Sequence, residues 1–322
     1  MSATSPQPAA EPACPAPQNR AEPPADARPA GLGAAVWAAL GIVYVVWGST
    51  YLAIRVVVET MPPLLSGALR FAVAAALLLA GIAVRKGVRA LRVTWRQFGS
   101  AALVGLLLLA GGNGGVVLAE RTVPSGLAAL LVASVPLWVV VLRRVFGGRT
   151  GGATLAGVLV GLVGLAVLTG PGLTGDVELS GLLLVVGAAV VWALGSVLAG
   201  RLPMPADPFV ASAYEMLAGA AGALALSFVR GEPGRFEPGA VSGASWAGLG
   251  YLVVFGSIVA FTSYAWLLQR APLPLVATYA YVNPVVAVLL GWLFLSESLT
   301  WPILVGGGIV VGGVFLVARN QR

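Results

Sequence analysis

The sequence predicts an all-α membrane protein of ten transmembrane helices arranged as two inverted five-helix repeats. Three observations lead there. Of 322 residues 58% are hydrophobic, with a mean hydropathy of +0.93, so the 19 basic and 12 acidic side chains cannot clothe a soluble surface of this size, whereas lipid needs no such clothing. Apolar runs of about 17–25 residues, the length a bilayer core demands of a helix, alternate with short connectors carrying Pro, Gly and charge. Finally, the chain resembles itself at a spacing near 148 residues.

Residues 1–30 hold eight Pro and nine Ala and no apolar run, a composition that cannot bury a core and that predicts a disordered cytoplasmic tail. The first apolar stretch is longer than a signal-peptide core and has no clear small-residue cleavage site, so it is expected to stay as a spanning helix. The spans fall near 33–54, 63–84, 97–119, 124–142, 153–170, 179–200, 208–229, 246–268, 273–296 and 301–318. Most connectors are short, which makes sequential helices antiparallel neighbours and leaves no room for a sizeable soluble domain. The connector 230–245 is longer and rich in Gly and Pro.

Orientation follows from the basic residues, because Lys and Arg resist translocation. On the side shared with the N-terminus lie Arg85, Lys86, Arg89, Arg92, Arg96, Arg143, Arg144, Arg149, Arg201, Arg270, Arg319 and Arg322; the other side carries only Arg55, Arg121, Arg230 and Arg235. Twelve against four places both termini in the cytoplasm and fits an even number of spans. The opposite side carries Glu59, Glu120, Asp176, Glu178, Glu232, Glu237 and Glu297. The basic loops are thereby explained by topology, and no nucleic-acid partner is expected; the partners are the bilayer and a small-molecule substrate.

At a shift of 148, Pro124 falls on Pro272, Pro136 on Pro284 and Phe146 on Phe294; Gly48-Ser49 meets Gly195-Ser196 at 147, and Pro63 and Arg70 meet Pro208 and Glu215 at 145. Gly157/Gly161 answers Gly308/Gly312, and both pairs read as packing motifs. Five spans per half force the second half to enter the membrane upside down, the construction of secondary transporters whose halves rock about a site at their interface.

Within the spans only Arg70 and Glu215 carry formal charge, and a charge at the bilayer centre costs at least about 2.5–3.5 kcal/mol, so both are expected to face the bundle or an aqueous cavity. They enter from opposite faces about 10 Å apart in depth, so a direct ion pair requires Arg70 to reach toward the midplane. A helix-locking contact or snorkelling is the competing reading for each. Glu215, the one acid inside the spans, is also the candidate for carrying a coupling proton. Asn113 lies between glycine pairs, where missing side chains let a backbone or a ligand approach; interhelical packing is the alternative there. Aromatic and polar residues recur together: Tyr44, Trp47, Ser49 and Tyr51; Trp192 with Ser196; Tyr279 with Asn283; with Tyr264 and Tyr281 deep in their spans. Such groups suit a cavity for amphipathic small molecules. Pro136 and Pro284 are expected inside helices 4 and 9, as paired kinks.

Other functions are constrained by absence. The chain has no His, and its Asp26, Asp176 and Asp207 fall outside or at the ends of spans, which leaves no Ser-His pair, no His-ligated metal and no membrane-embedded aspartate dyad; an enzyme is not expected. With Cys14 alone there is no intramolecular disulfide. There is no Gly-x-x-x-x-Gly-Lys-Ser/Thr loop around the sole lysine, Lys86, so no nucleotide cofactor is expected and energy must come from gradients. A non-transporting structural or receptor-like membrane protein fits the hydropathy equally and is opposed by the repeat and the intramembrane charges. Monomer and homodimer are both open.

Trp47-Gly48-Ser49-Thr50-Tyr51-Leu52-Ala53-Ile54, Pro62-Pro63 with Leu69-Arg70-Phe71, and Gly111-Gly112-Asn113-Gly114-Gly115 resemble EamA-domain transporters of the drug/metabolite transporter superfamily. So do Glu120-Arg121-Thr122-Val123-Pro124-Ser125-Gly126-Leu127-Ala128-Ala129-Leu130 and Val282-Asn283-Pro284-Val285-Val286-Ala287-Val288-Leu289-Leu290-Gly291. The resemblance implies two EamA repeats, at 31–170 and 178–318, a multi-pass inner-membrane location, and export of small metabolites or drugs, often amino acids or their analogues. The chain departs from the family pattern twice. The first half has Phe146-Gly147-Gly148-Arg149 where the second keeps Phe294-Leu295-Ser296-Glu297, and Glu215 stands where the family often has Gln.

Overall fold

The structure, a computed structural model, describes residues 33–119, 123, 131–148, 151–169, 179–286 and 301–319. The expected tail at 1–30, the Glu120–Leu130 motif apart from Val123, the Phe294–Glu297 sequence and the last part of the ninth span lie outside them. Every regular element among the described residues is helical: α1 (Ala34–Val58), α2 (Pro63–Lys86), α3 (Trp95–Ala119), α4 (Val135–Val145), α5 (Gly152–Thr169), α6 (Leu179–Ala199), α7 (Pro208–Val229), α8 (Gly243–Arg270), α9 (Leu273–Val286) and α10 (Trp301–Arg319). Six of these, α1, α2, α3, α6, α7 and α8, are long and apolar enough to cross a membrane, and α5, α9 and α10 add shorter apolar stretches.

Local chemistry sets the ends. Prolines open α2 and α7 at the first helical position, where a missing N–H costs nothing. Thr94 and Gln97 form a capping box on α3, and the Ser242 hydroxyl accepts the Ser245 N–H to start α8. α2 stops at Gly87 (φ 79°) and α7 just before Gly231 (φ 66°), each in the left-handed region that glycine enters without strain. The first helix runs four residues past the expected boundary at 54, to Val58. Pro136 is a correction: helical bonding restarts after a turn at Ala133–Ser134, so this proline begins α4 instead of kinking its interior. In α9 the interruption sits at Ala277–Thr278, upstream of Pro284.

Two helices are interrupted in the same manner. α3 carries a π-helical segment over Leu106–Asn113 and α8 one over Leu252–Val259, eight residues each and 146 positions apart. A π segment breaks the regular i to i−4 ladder and releases carbonyls for other partners.

Glycine brings the backbones together. α2 packs along α7, α5 along α10, α3 against α6 and α7, and α8 against α1 and α2. A β-carbon on Gly105 of α3 would fall onto the Glu215 carbonyl of α7, and one on Gly219 would lie 2.6 Å from the Leu109 β-carbon. In the α5–α10 seam, a β-carbon on Gly157 would stand 2.8 Å from a Val317 methyl, and one on Gly313 2.6 Å from the Gly161 nitrogen. Here the motif reading needs correcting on one side. Gly157 and Gly161 do pack, but their partners on α10 are Gly313 and Val317 and, for Gly161, Tyr281 of α9, while a β-carbon on Gly308 or Gly312 would meet nothing within 4 Å among the described residues. On an all-apolar helix the spacing of small residues does not say which stripe faces the bundle.

The α2–α7 pair is tied at both ends. At one, Lys86 Nζ contacts Asp207 Oδ2 at 2.6 Å, Asp207 also accepts the Phe209 N–H, and Tyr214 donates to the Leu91 carbonyl. At the other, Glu232 of the long connector, 5% exposed, accepts the Leu65 N–H at 2.8 Å and so caps α2 across 167 residues of sequence.

Gly105→Ala is expected to lower the thermal midpoint of the purified protein by several degrees or abolish folded yield. Gly99→Ala, on the same helix with open space at its β-carbon, should leave it unchanged or raise it. Equal midpoints for the two would show that the close α3–α7 approach is not needed.

Asp207 yields a second expectation. Burial acts to raise its carboxyl, but the Lys86 hydrogen bond, the Phe209 N–H and the Lys86 charge outweigh it and hold it below the ordinary 3.8. A lowered native value contributes stability above pH 3.8 that is lost as pH falls through it. Asp207→Ala should cost about 1 kcal/mol at neutral pH, and Asp207→Asn, which keeps a capping oxygen, less. The gap between wild type and Asp207→Asn, read by thermal unfolding, should close on acidification.

Candidate functional site

A cavity of about 90 Å³ lies among α1, α2, α3, α4, α6, α8 and α9. A single water occupies about 10–15 Å³ on this scale, so there is room for several waters or a small solute. Trp47, Thr50 and Ile54 line it from α1, Arg70 and Phe71 from α2, Leu109, Gly112, Asn113, Val116 and Val117 from α3. From the second half of the chain come Ala188, Ala189 and Trp192 of α6, Gly256 and Phe261 of α8, and Tyr279 and Asn283 of α9.

The π segments build its walls. In α8 the Gly256 carbonyl accepts the Trp47 indole N–H at 3.1 Å, and the neighbouring Ser257 hydroxyl accepts from Arg70 Nε at 2.8 Å. A β-carbon at Gly256 would lie 2.9 Å from Arg70 Nη2 and 3.1 Å from a Thr50 methyl, so a side chain there would displace the guanidinium. Across the cavity the π segment of α3 presents Gly112 to Trp192, whose ring would stand 2.8 Å from a β-carbon at that glycine. Each half thus sets a tryptophan against the other half's interrupted helix.

One side of the cavity is walled by a cluster of aromatic rings. Trp47 lies 5.0 Å from Tyr264, 4.9 Å from Tyr279 and 5.7 Å from Trp192, and Tyr264 lies 5.6 Å from Tyr279. Offset and edge contacts at such distances add about 0.5–1.5 kcal/mol per pair beyond burial. A hydrogen-bond chain locks this cluster. Ser196 donates to the Trp192 carbonyl at 2.8 Å, so the Tyr264 hydroxyl donates to Ser196 at 2.6 Å and accepts the Trp192 indole N–H at 3.2 Å. Behind it Tyr44 donates to Thr278 at 2.6 Å, and the Asn283 amide nitrogen reaches the Tyr279 and Tyr44 carbonyls at 3.0 and 3.3 Å. The cluster lies on the side of the cavity toward the start of α1 and the end of α6.

Of the residues singled out from sequence, Trp47, Arg70, Asn113, Trp192, Tyr279 and Asn283 line the cavity, and Ser196 and Tyr264 stand in the cluster that walls one side of it. Ser49 turns away and accepts from Tyr251 at 2.6 Å on the α1–α8 contact. Tyr281 donates to the Val158 carbonyl at 3.1 Å and packs on Gly161, within the α5–α9–α10 contact. The Tyr51 side chain lies outside the described residues. Glu215 is 2% exposed, its backbone carbonyl lies against Gly105 of α3, and one of its carboxylate oxygens has no hydrogen-bond partner among the described residues; it is not among the described residues that line the cavity. Arg70 and Glu215 form no ion pair among the described residues, where Lys86–Asp207 is the pair found. Sequence reasoning missed Thr50, Phe71 and Gly256. Thr50 and Phe71 lie inside motifs already quoted for the resemblance without being singled out as site residues; nothing in the sequence marks Gly256, whose role depends on the π segment.

Comparison with known proteins supplies the context. The chain is 40% identical over 287 residues to the "Uncharacterized inner membrane transporter YedA" of Escherichia coli (strain K12), spanning 89% of this chain and 91% of that protein. It is 28% identical over 290 residues to the "WAT1-related protein At3g02690, chloroplastic" of Arabidopsis thaliana, spanning 87% and 69%. A solved crystal structure superposes with a TM-score of 0.73 at 25% identity, covering 89% of this chain and 97% of that one. The sequence pattern of the EamA-like transporter family matches twice, at residues 34–170 and 179–319, so nearly all of the helical region is accounted for. The chain belongs to the EamA-like transporter family and is a membrane transporter.

Proposed function

We propose that this chain is a secondary transporter that exports small metabolites, amino-acid-like or amphipathic, across the inner membrane by alternating access. The observation that carries the reading is that both family-matched segments wall one cavity through helix pairings that survive exchanging each helix for the one five places along. α3 meets α6 as α8 meets α1, and α3 meets α7 as α8 meets α2. α4 meets α6 as α9 meets α1, through Tyr44–Thr278 and the approach of Val286 to Gly48. The pairs α2–α7 and α5–α10 map onto themselves. A two-fold relation between halves produces such a pattern, and ten spans divided five and five make the halves inverted. The matched positions of the two π segments support the same relation. The name of the Escherichia coli relative supports the inner-membrane location.

With the basic connectors in the cytoplasm, α1 runs outward, and the cavity lies on the outer side of the aromatic cluster. The conformation is then outward-facing, with Trp47, Trp192, Tyr264 and Tyr279 as the closed inner gate. Passage to the inward-facing state requires these rings to part while the walls around Thr50 and Asn113 close. The π segments are suited to this, because a helix whose ladder is already interrupted changes pitch at low cost.

In a Cys14→Ser background, cysteines at exposed Arg89 and Glu237 should label from opposite sides of the membrane with an impermeant maleimide. Labelling of both from one side would overturn the ten-span topology. For function, a metabolite panel screened by ligand-dependent rise in Tm should yield compounds that then show counterflow in proteoliposomes. Binding without exchange for every such compound would favour a receptor-like role. Glu215 is buried and is not among the described residues that line the cavity, so Glu215→Gln should keep counterflow and lose accumulation driven by a pH gradient; undiminished accumulation would refute proton coupling through it.

A further inference from the structure

Arg70 is 6% exposed, and its guanidinium forms part of the cavity wall. Its Nε is occupied by Ser257 and its plane lies over the Phe71 ring, 4.9 Å from the centroid. Neither contact supplies negative charge. Among the described residues no acidic side chain lines the cavity and no carboxylate, that of Glu215 included, lies in ion-pair distance of Arg70. A buried charge without a counter-ion is costly, and a guanidinium presents planar paired donors that match a carboxylate in two-point geometry. Gly256 keeps the space beside Nη2 free of a side chain. The rest of the described wall is mostly aromatic and aliphatic, with Thr50, Asn113 and Asn283 as its neutral polar side chains.

We propose that Arg70 is the anion-recognition residue of this cavity, taking the carboxylate of a small monoanionic or zwitterionic solute whose apolar part lies against Trp47, Phe71 and Trp192. The assignment rests on reading the cavity as the substrate site. It narrows the cargo to acids: a cation meets uncompensated positive charge, and a neutral molecule leaves the guanidinium without a counter-ion. A dianion is disfavoured in turn, since one guanidinium balances one charge and the described lining offers no second cation.

The test compares pairs that differ only in that charge. Purified protein is titrated with 3-phenylpropionate and 3-phenylpropionamide, and with other aryl and alkyl acid–amide pairs of similar size, reading binding by calorimetry and by Tm. At least one acid should bind at least about ten-fold more tightly than its amide. Arg70→Gln should bring each such pair within about two-fold of one another, and Arg70→Lys should keep part of the preference as a point charge without the paired donors. Circular dichroism and retained binding of the amides verify that the variants are folded. Amides binding as well as acids, a preference that survives in Arg70→Gln, or no acid binding across the series would each overturn the assignment. Should the acids bind selectively but fail to exchange in proteoliposomes, the transport reading falls while the carboxylate site stands.

Discussion

A polar group inside this bundle has no bulk water to turn to, and the ways in which such groups find partners shape most of what the structure does. Backbone groups are satisfied within helices, which is why the described residues form helices joined by short turns. Where that ladder is broken, the freed groups are put to use: the Gly256 carbonyl takes the Trp47 indole, and Ser257 beside it takes Arg70. The interruption in α8 therefore builds one wall of the cavity. Tyr264, Ser196 and Trp192 satisfy one another in a closed chain, which turns an aromatic cluster with several polar atoms into a stable plug.

Apolar burial cannot drive helix association where lipid tails are as apolar as the side chains, so close packing carries that burden. Glycine makes it feasible at Gly105 and Gly219 between α3 and α7, and again in the α5–α10 seam. These two contacts differ in position. The α3–α7 approach lies directly behind the cavity and adjoins the π segment of α3, whereas the α5–α10 seam involves Tyr281 and Val158 and none of the cavity wall. Tight packing next to an irregular helix holds the wall in place, and the seam provides a support that is not asked to change with the site.

The positions of the helices were largely legible in the sequence because run length and proline or glycine punctuation respond to bilayer thickness and local backbone sterics. Pro63 and Pro208 mark helix starts as expected, and α7 spans the residues its apolar run indicated. Facing was much less legible. Ser49 and Tyr281 read as cavity candidates and turn to other helices, and Gly308 and Gly312 read as packing residues and face away from α5. A soluble helix betrays its inner face by a polar outer one, but a helix between protein and lipid is apolar all round, so the 3.6-residue period carries little information. Charge is the exception, which is why Arg70 stood out. The π segments and the Glu232 cap had no local signal at all, since they depend on partners far away along the chain.

That cap bears on how the two halves relate as modules. At the 145-residue spacing that joins Arg70 to Glu215, Glu232 falls on Gly87 and Asp207 on Pro62, so neither acid that ties the α2–α7 pair has an equivalent in the first half. The two segments keep a common plan of helices and glycine stops, yet the fastenings between them have become one-sided. Two copies of residues 34–170 would meet with no carboxylate to cap α2, and two copies of residues 179–319 would meet with no lysine to hold Asp207. The two halves are thus complements at these two fastenings, which a pairing of either half with its own copy would lack.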